Sequence, residues 1–552
     1  MTTDPLATHE VFNQPPPLSG YDAFAADRVL GEAVRREGAG AGAIDGLHRL
    51  GRIAGSPEAQ LWGEQANANP PVLKTHDRYG HRADRVDYHP AYHELMRTAV
   101  AHGLHAAPWA ATGDDQRGAH VVRAAKLVVW SQVDAGHTCP ISMTYSVLPA
   151  LRHQPDVAAE WEPGILSNTY DPAFVPHGQK AGVTCGMGMT EKQGGSDVRA
   201  NTTRAEALGP DGEYALTGHK WFCSAPMSDA FLMLAYVGEG LSCFLVPRFT
   251  PDGTPNVFRI QRLKDKLGNR SNASAEIEFD GTVGFLIGEA GRGVRAIIEM
   301  VQRTRLDCVL GTAAGMGQSL AEALWHTRGR HAFGALLVDQ PAMTAVLADL
   351  ALEYEAAMLS GLRLAQLFEA EASDRDVALR RLATPVSKYW VCKRGPQHAY
   401  EALECLGGNG YTESFPLARR YREQPVMAIW EGSGNVIALD VLRALTRDRD
   451  SGEAFADELG GTAGASAVLD RHVDRTLSLL RRLSGAESGD AASQTRRISE
   501  DLALAFQASL MLRHAPSRDA EAFIAARLGD ERRAQYGVLP VGTDAAAIVA
   551  RH

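Results

Sequence analysis

The stretch Met189-Thr-Glu-Lys-Gln-Gly-Gly-Ser-Asp197 is the most telling in the chain. Gly194 and Gly195 let a backbone approach a ligand closely, and Thr190 and Ser196 add hydroxyls suited to an anionic or heteroaromatic group. Alone, the stretch reads equally well as a glycine-containing turn between strands. It lacks the G-x-G-x-x-G spacing, and no strand–helix pair brackets it, which counts against a Rossmann unit. Four later segments give it company. Gly218-His-Lys-Trp-Phe-Cys-Ser224 follows a strand-like run and offers an aromatic ring and, two residues on, a hydroxyl. Arg330-His-Ala-Phe-Gly334 sets a cation beside an aromatic residue and a glycine. Leu406-Gly-Gly-Asn-Gly-Tyr411 is a second tight glycine-rich turn, and Ile429-Trp-Glu-Gly-Ser-Gly-Asn435 puts a carboxylate between a large ring and two glycines.

Outward from this core the patterning changes twice. From about 45 to 167, apolar residues recur at helical spacing, as in Leu95, Val100 and Leu104, with Pro and Gly breaks between runs. Between about 182 and 285, short apolar runs alternate with turns such as Pro251-Asp-Gly-Thr. Ala275-Glu-Ile-Glu-Phe-Asp has the period of a half-buried strand. Beyond Gly293 the helical period returns, and Val346, Leu350, Tyr354, Met358 and Leu362 keep one apolar stripe. The patterning predicts an α+β chain: an extension over 1–44, a helical domain over 45–181, a β-domain over 182–285, a helix bundle over 286–448 and further helices over 449–552. The Gly-, Ala- and Ser-containing stretch 451–467 reads as a linker.

Composition narrows the classes. A chain of 552 residues exceeds one ordinary core. Net charge of −10 gives no global reason to bind nucleic acid or an anionic membrane. The seven cysteines are scattered with no C-x-x-C pair, as expected of reduced, mostly buried thiols rather than a disulfide framework or metal site. The N-terminus lacks a basic start and apolar core, and no run of about 20 apolar residues is present, so a cytoplasmic protein without a membrane span is expected.

The five segments, in this order, resemble the acyl-CoA dehydrogenase family over residues 90–446. The resemblance implies that family's fold, with an N-terminal helical domain, a middle β-domain and a C-terminal helix bundle, here followed by an extra helical domain. It also implies one FAD held between two subunits, hence an oligomer, commonly a tetramer. Met189, Thr190, Gly195 and Ser196 would then lie in the flavin segment, and Phe222 and Ser224 would flank the ring. Arg330, Phe333 and Gly334 would reach a neighbouring subunit's FAD, with Gly407 and Gly408 beside the adenosine end. Ser433 and Asn435 would touch FAD after the catalytic position. Glu431 matches the general base, which removes an α-proton from an acyl-CoA thioester as hydride leaves the β-carbon. Burial beside Trp430 would raise its pKa as that task requires; a surface helix-cap acid is the alternative. Arg305 matches an arginine near the reacting end of the substrate, or forms a buried salt bridge.

Departures from ordinary members are Trp430 in place of Tyr, Lys192-Gln193 in place of Pro-Gly, and a longer C-terminal part. With Val11-Phe-Asn-Gln-Pro-Pro-Pro-Leu18 and Thr138-Cys-Pro-Ile-Ser-Met-Thr144, they make the chain similar to the AidB-like, alkylation-response subfamily. That likeness implies weak dehydrogenase activity and a C-terminal part that binds double-stranded DNA, and an acyl-CoA oxidase is a third reading. Arg443 would pair with Glu431. Arg471, Arg475 and Arg482 fall within about 40° on a helical wheel, with Arg481, Arg496 and Arg497 nearby, a stripe suited to phosphates. Interleaved Asp470, Asp474, Glu500 and Asp501 make a solvated, ion-paired face an equal reading.

Overall fold

The computed structural model describes residues 8–209, 212–483 and 488–552. A seven-stranded sheet occupies the middle of the chain, flanked in sequence by helices. Its spine is the antiparallel pair Glu213–Ser224 and Ser274–Ile287, in register Lys220↔Ile277 and Ser224↔Ser274. Cys185–Gly188 lies parallel to Ala230–Val237, which also pairs with Gly240–Pro247. Ala230–Leu234 is buried throughout, the continuous apolar run expected of a strand covered on both faces.

The bundle is built on the 37-residue helix Gly293–Gly329 and the helices Pro341–Gln366 and Asp374–Glu404. The Val346–Leu362 stripe faces inward, with Leu350, Met358 and Leu362 fully buried. Ser373 opens Asp374–Glu404 with a capping box: its hydroxyl accepts from the Asp376 amide while Asp376 takes the Ser373 amide.

Three local expectations change. The N-terminal helices are interrupted by a β-hairpin, Val72–His76 with Arg82–Asp87, whose alternating half-exposed residues mimic no helix face. The stretch 451–467 is no linker at its start. Arg449–Gly460 is a helix, capped by Asp448 on the Ser451 amide at 3.2 Å and anchored by buried Ala454 and Phe455. Its small residues make it resemble a linker in sequence, but they allow close packing on Asp374–Glu404. The C-terminal helices are also not appended: one apolar core runs from Ala23 through Leu350 and Leu510 to Val549. Ion pairs cross the same seam, Arg527 with Asp349 at 2.6 Å and Arg551 with Glu355 at 2.9 Å and Glu32 at 2.7 Å. Buried pairs of this kind fix register more than they add net stability.

Candidate active site

Helix Pro416–Met427 ends just before the turn that carries Glu431, and helix Gly434–Arg447 begins just after it. Glu431 has φ +57°, a left-handed conformation that costs a non-glycine residue about 1–2 kcal/mol, and Gly432 follows at +108°. The surroundings hold it there. Arg305 Nε donates to the Glu431 carbonyl at 3.0 Å, while Lys388 Nζ donates to the carbonyls of Trp430 at 2.9 Å and Gly432 at 2.6 Å. Three successive carbonyls are thus tied by two buried cations. Arg305 is itself fixed by Asp440 at 2.7 Å, which Arg381 also grips at 2.9 Å. Burial opposes the Asp440 charge, but Arg305 and Arg381 hold its carboxyl below the usual range.

The Glu431 side chain meets a different environment. Its Oε2 is buried with no hydrogen-bond partner. Burial raises its pKa above the ordinary 4.5, against the pull of Thr304, Arg305 and Lys388. The buried oxygen is not that of a surface helix-cap acid. Trp430 packs on Cys308, Cys392 and Met427. Of the two readings of Arg305, the salt bridge is the one observed. Arg443 does not pair with Glu431: it lies one helical turn from Asp440 and reaches that carboxylate at 3.5 Å.

Across from this turn, Cys139 connects the helices to the sheet. Burial pushes its thiol up to about 11, against the pull of the Lys266 ammonium, while the Glu431 carboxyl pushes the same way as burial. Ser224, at the end of its strand, lies 3.4 Å from the Ser274 hydroxyl on the paired strand. The 189–197 loop is laid along the same strand by the Trp221 amide, which donates to the Thr190 carbonyl at 2.8 Å. Phe222 beside it is 51% exposed. A Cβ on Gly195 would run into the Thr190 hydroxyl, so the close approach demands glycine.

The anchor of the loop is Glu191, which sequence reading passed over. It is fully buried and accepts from Lys220 Nζ at 2.7 Å, the Thr203 hydroxyl at 2.6 Å and the Thr202 amide at 2.6 Å. Burial works against its charge, but Lys220 and these donors hold it down at about 2. A Glu–Lys pair lying 29 residues apart leaves no local signal. Lys388 offers a faint one: it is a lysine within a helical stretch whose neighbours Thr384, Pro385 and Val386 are all buried.

The remaining residues form a second cluster. His331–Ala332 and Ala335–Leu336 make a hairpin whose two-residue tip, Phe333 and Gly334, has φ +54° and +84°. A tip with both angles positive matches strand twist, and it turns Phe333 99% outward. Arg330 Nη1 donates to the Asn13 carbonyl at 2.7 Å, and the Asn13 side chain pairs with the His331 backbone at 2.7 and 2.9 Å. Gln14 Oε1 accepts from Asn409, in the Gly407–Tyr411 turn, at 3.4 Å, and the Pro16 carbonyl accepts from Trp325 at 2.6 Å. The segment 13–16 thus joins the hairpin to the Gly407–Gly408 turn, where both glycines are exposed. Ser433 and Asn435 are exposed at the start of Gly434–Arg447.

Arg471, Arg475, Arg481 and Arg482 are exposed on helix Ala467–Leu483, whose other face buries Leu469, Thr476 and Leu479. Arg497 is paired with Asp501 at 3.6 Å. Arg496 is turned toward helix Gly434–Arg447: its Nη2 would stand 3.2 Å from a Cβ on Gly434. All seven cysteines are free and buried. Among the described residues no helix is long and apolar enough to cross a membrane.

Comparison with known proteins gives this geometry a family. Residues 186–282 match the description "Acyl-CoA dehydrogenase, middle domain" and residues 291–446 "Acyl-CoA dehydrogenase, C-terminal domain"; residues 13–172 match "Adaptive response protein AidB N-terminal domain". The chain is 44% identical to AidB of Escherichia coli (strain K12) over 517 residues, 94% of each protein. It belongs to the acyl-CoA dehydrogenase family. Acyl-CoA dehydrogenase family member 11 of Caenorhabditis elegans is 30% identical over 83% of this chain and 78% of its own. The crystal structure of Caenorhabditis elegans ACDH-11 in complex with C11-CoA has a TM-score of 0.85 at 26% identity, covering 97% of this chain and 95% of that one. An acyl-CoA dehydrogenase from Bacillus anthracis, complexed with FAD, shares the fold at a TM-score of 0.63 and 18% identity, over 80% of this chain and 78% of its own. Members of the acyl-CoA dehydrogenase family bind FAD.

Proposed function

We propose that this chain is an FAD-dependent acyl-CoA dehydrogenase of the AidB type, with Glu431 as the base that takes the α-proton of an acyl thioester. The observation that carries this reading is the Glu431 carboxylate: Oε2 is buried and unpartnered, on a backbone that Arg305 and Lys388 hold in a left-handed conformation. A carboxylate kept short of partners and raised by burial is a stronger base than a solvated one, as proton abstraction requires. Arg305 and Lys388 act as positioning residues, since both contact backbone and neither is needed for the proton transfer itself.

The residues fit FAD in two groups. Met189, Thr190, Gly195, Ser196, Phe222 and Ser224 would hold the flavin ring opposite Glu431, with Ser433 and Asn435 along its extension. Bound there, FAD would supply the acceptor for the hydride that leaves the β-carbon. Arg330, Phe333, Gly334, Gly407 and Gly408 would receive the adenosine end of a neighbouring subunit's FAD, which makes the working form a homo-oligomer, a tetramer by family likeness. The outward Phe333 supports this division: a fully exposed aromatic ring on a rigid two-residue tip is suited to a surface supplied by another chain. The nematode complex makes an acyl chain of C11 length the first substrate to try.

The test is anaerobic mixing of the FAD-loaded protein with acyl-CoA thioesters of graded length. Loss of the oxidised flavin band with at least one thioester supports the reading, and no loss with any of them refutes it. A second reading rests on Arg471, Arg475, Arg481 and Arg482, which present a cationic face to which double-stranded DNA would bind without sequence preference. Such binding would weaken steeply with salt. Duplex affinity unchanged by Arg471→Glu with Arg475→Glu would dispose of it.

A further inference from the structure

A pocket of about 570 Å³ lies on the seam between the bundle helix Asp374–Glu404 and the C-terminal helices Thr495–His514 and Ser517–Leu528. Trp390, Lys393 and Arg394 line one side, and Glu500, Arg527, Arg532 and Arg533 the other. The size is that of a small-molecule site. Its charge is unusual for a chain of net charge −10: five lining side chains are cationic and one is a carboxylate.

Two of the cations are balanced from behind. Arg394 lies 3.1 Å from Glu353, and Arg527 lies 2.6 Å from Asp349 and 2.9 Å from Glu353. Lys393, Arg532 and Arg533 have no carboxylate within ion-pair distance among the described residues. Glu500 is the one lining carboxylate; burial raises its carboxyl, against the pull of Arg532 and Arg394, and it forms no ion pair with any of the three. Burial, then Arg496 and Lys388, lower the Lys393 ammonium. Asp530 and Glu531, on the loop that carries Arg532 and Arg533, are exposed and outside the lining. In the wall, Trp390 Nε1 and Arg394 Nε are buried donors without an acceptor. Like charges gathered beside idle donors gain most from an anion with several oxygens, which guanidinium groups grip two at a time.

We propose that this pocket binds a phosphate-bearing small molecule of the nucleoside polyphosphate class. Lys393, Arg532 and Arg533 take the phosphates, and the Trp390 side of the wall takes the base. A cleft between three helices admits a nucleotide, whereas a duplex shows its phosphates along a convex rod and would meet the exposed arginines of Ala467–Leu483 instead. The proposal is independent of the chemistry assigned to Glu431.

The test is calorimetric titration of the FAD-loaded full chain at low salt with inorganic pyrophosphate and with ATP, while flavin absorbance is followed. The comparison is with Arg532→Glu/Arg533→Glu, both exposed loop positions, and with Arg471→Glu/Arg475→Glu as a charge-matched control. Expected are one site per chain for each probe, tighter binding of ATP, and a weakening of at least about tenfold in the Arg532/Arg533 variant alone. Flavin absorbance should not change. No binding of either probe, equal affinity in the two variants, or release of FAD on titration would overturn the site. Pyrophosphate binding as tightly as ATP would overturn the nucleoside part. A DNA duplex that needs Arg532 and Arg533 while ATP does not bind would replace it with a nucleic-acid surface.

Discussion

Around Glu431 the backbone is gripped from inside, by buried Arg305 and Lys388 on three successive carbonyls, whereas the Phe333 hairpin is held from the rim by Asn13 and turns its ring wholly outward. Both places force a non-glycine residue into positive φ. The first goes with a carboxylate whose Oε2 is buried and unpartnered, and the second with an apolar ring turned to the exterior. Strain of this sort persists only where neighbours over-determine it. The comparison therefore predicts that damage at the first place harms chemistry and damage at the second harms cofactor retention.

The largest effect is expected at the sheet side of the inner region. Glu191→Gln leaves Lys220 buried without its partner, and loss of about 3–5 kcal/mol of stability is expected by denaturant unfolding. The Glu191 contribution is present above the unfolded carboxylate value and is lost only as pH falls toward about 2. A loss under about 1 kcal/mol would show that the 189–197 loop does not depend on this pair. Next, Lys388→Ala frees the Trp430 and Gly432 carbonyls, and a drop of about 100-fold in flavin bleaching is expected with FAD retained. Loss of FAD instead would blur the inner region into the outer one.

At the outer region, Phe333→Asp should weaken FAD retention about tenfold and favour smaller oligomers, while bleaching at saturating FAD stays near wild type. Sedimentation and flavin content check both. A variant with full FAD and unchanged assembly would remove the case for a shared cofactor. The smallest effect is expected for Arg443→Ala, whose guanidinium is more than half exposed and shares Asp440 with two closer arginines. It should change stability by less than about 0.5 kcal/mol and leave the pH midpoint of bleaching in place.

These regions were unequally legible in sequence. Thr190, Gly195 and Glu431 stand in local patterns that gain meaning only when the five segments are read together, whereas the alternation of Ala275–Asp280 identifies a strand without help. Lys388, Asp440 and Glu191 act through partners tens of residues away, and the hold that Lys388 and Asp440-fixed Arg305 have on the Glu431 turn arises only when the helices are packed. Asn13 and Gln14 are the clearest case. In sequence they begin a proline-rich extension; in the fold they join two segments more than 300 residues further on. The Arg449–Gly460 helix shows the opposite error, since small residues that permit close packing look like those of a linker.

The most direct test of the account is the pH dependence of anaerobic flavin bleaching by an acyl-CoA thioester, in wild type and in Glu431→Gln. A base must be ionised to act, and burial raises Glu431 above 4.5. The account predicts a rate that is low below this raised pKa and climbs as pH rises through it, with bleaching abolished in an FAD-replete Glu431→Gln protein. Bleaching in that variant at the wild-type rate, with the same pH profile, would contradict the assignment of Glu431 as the base.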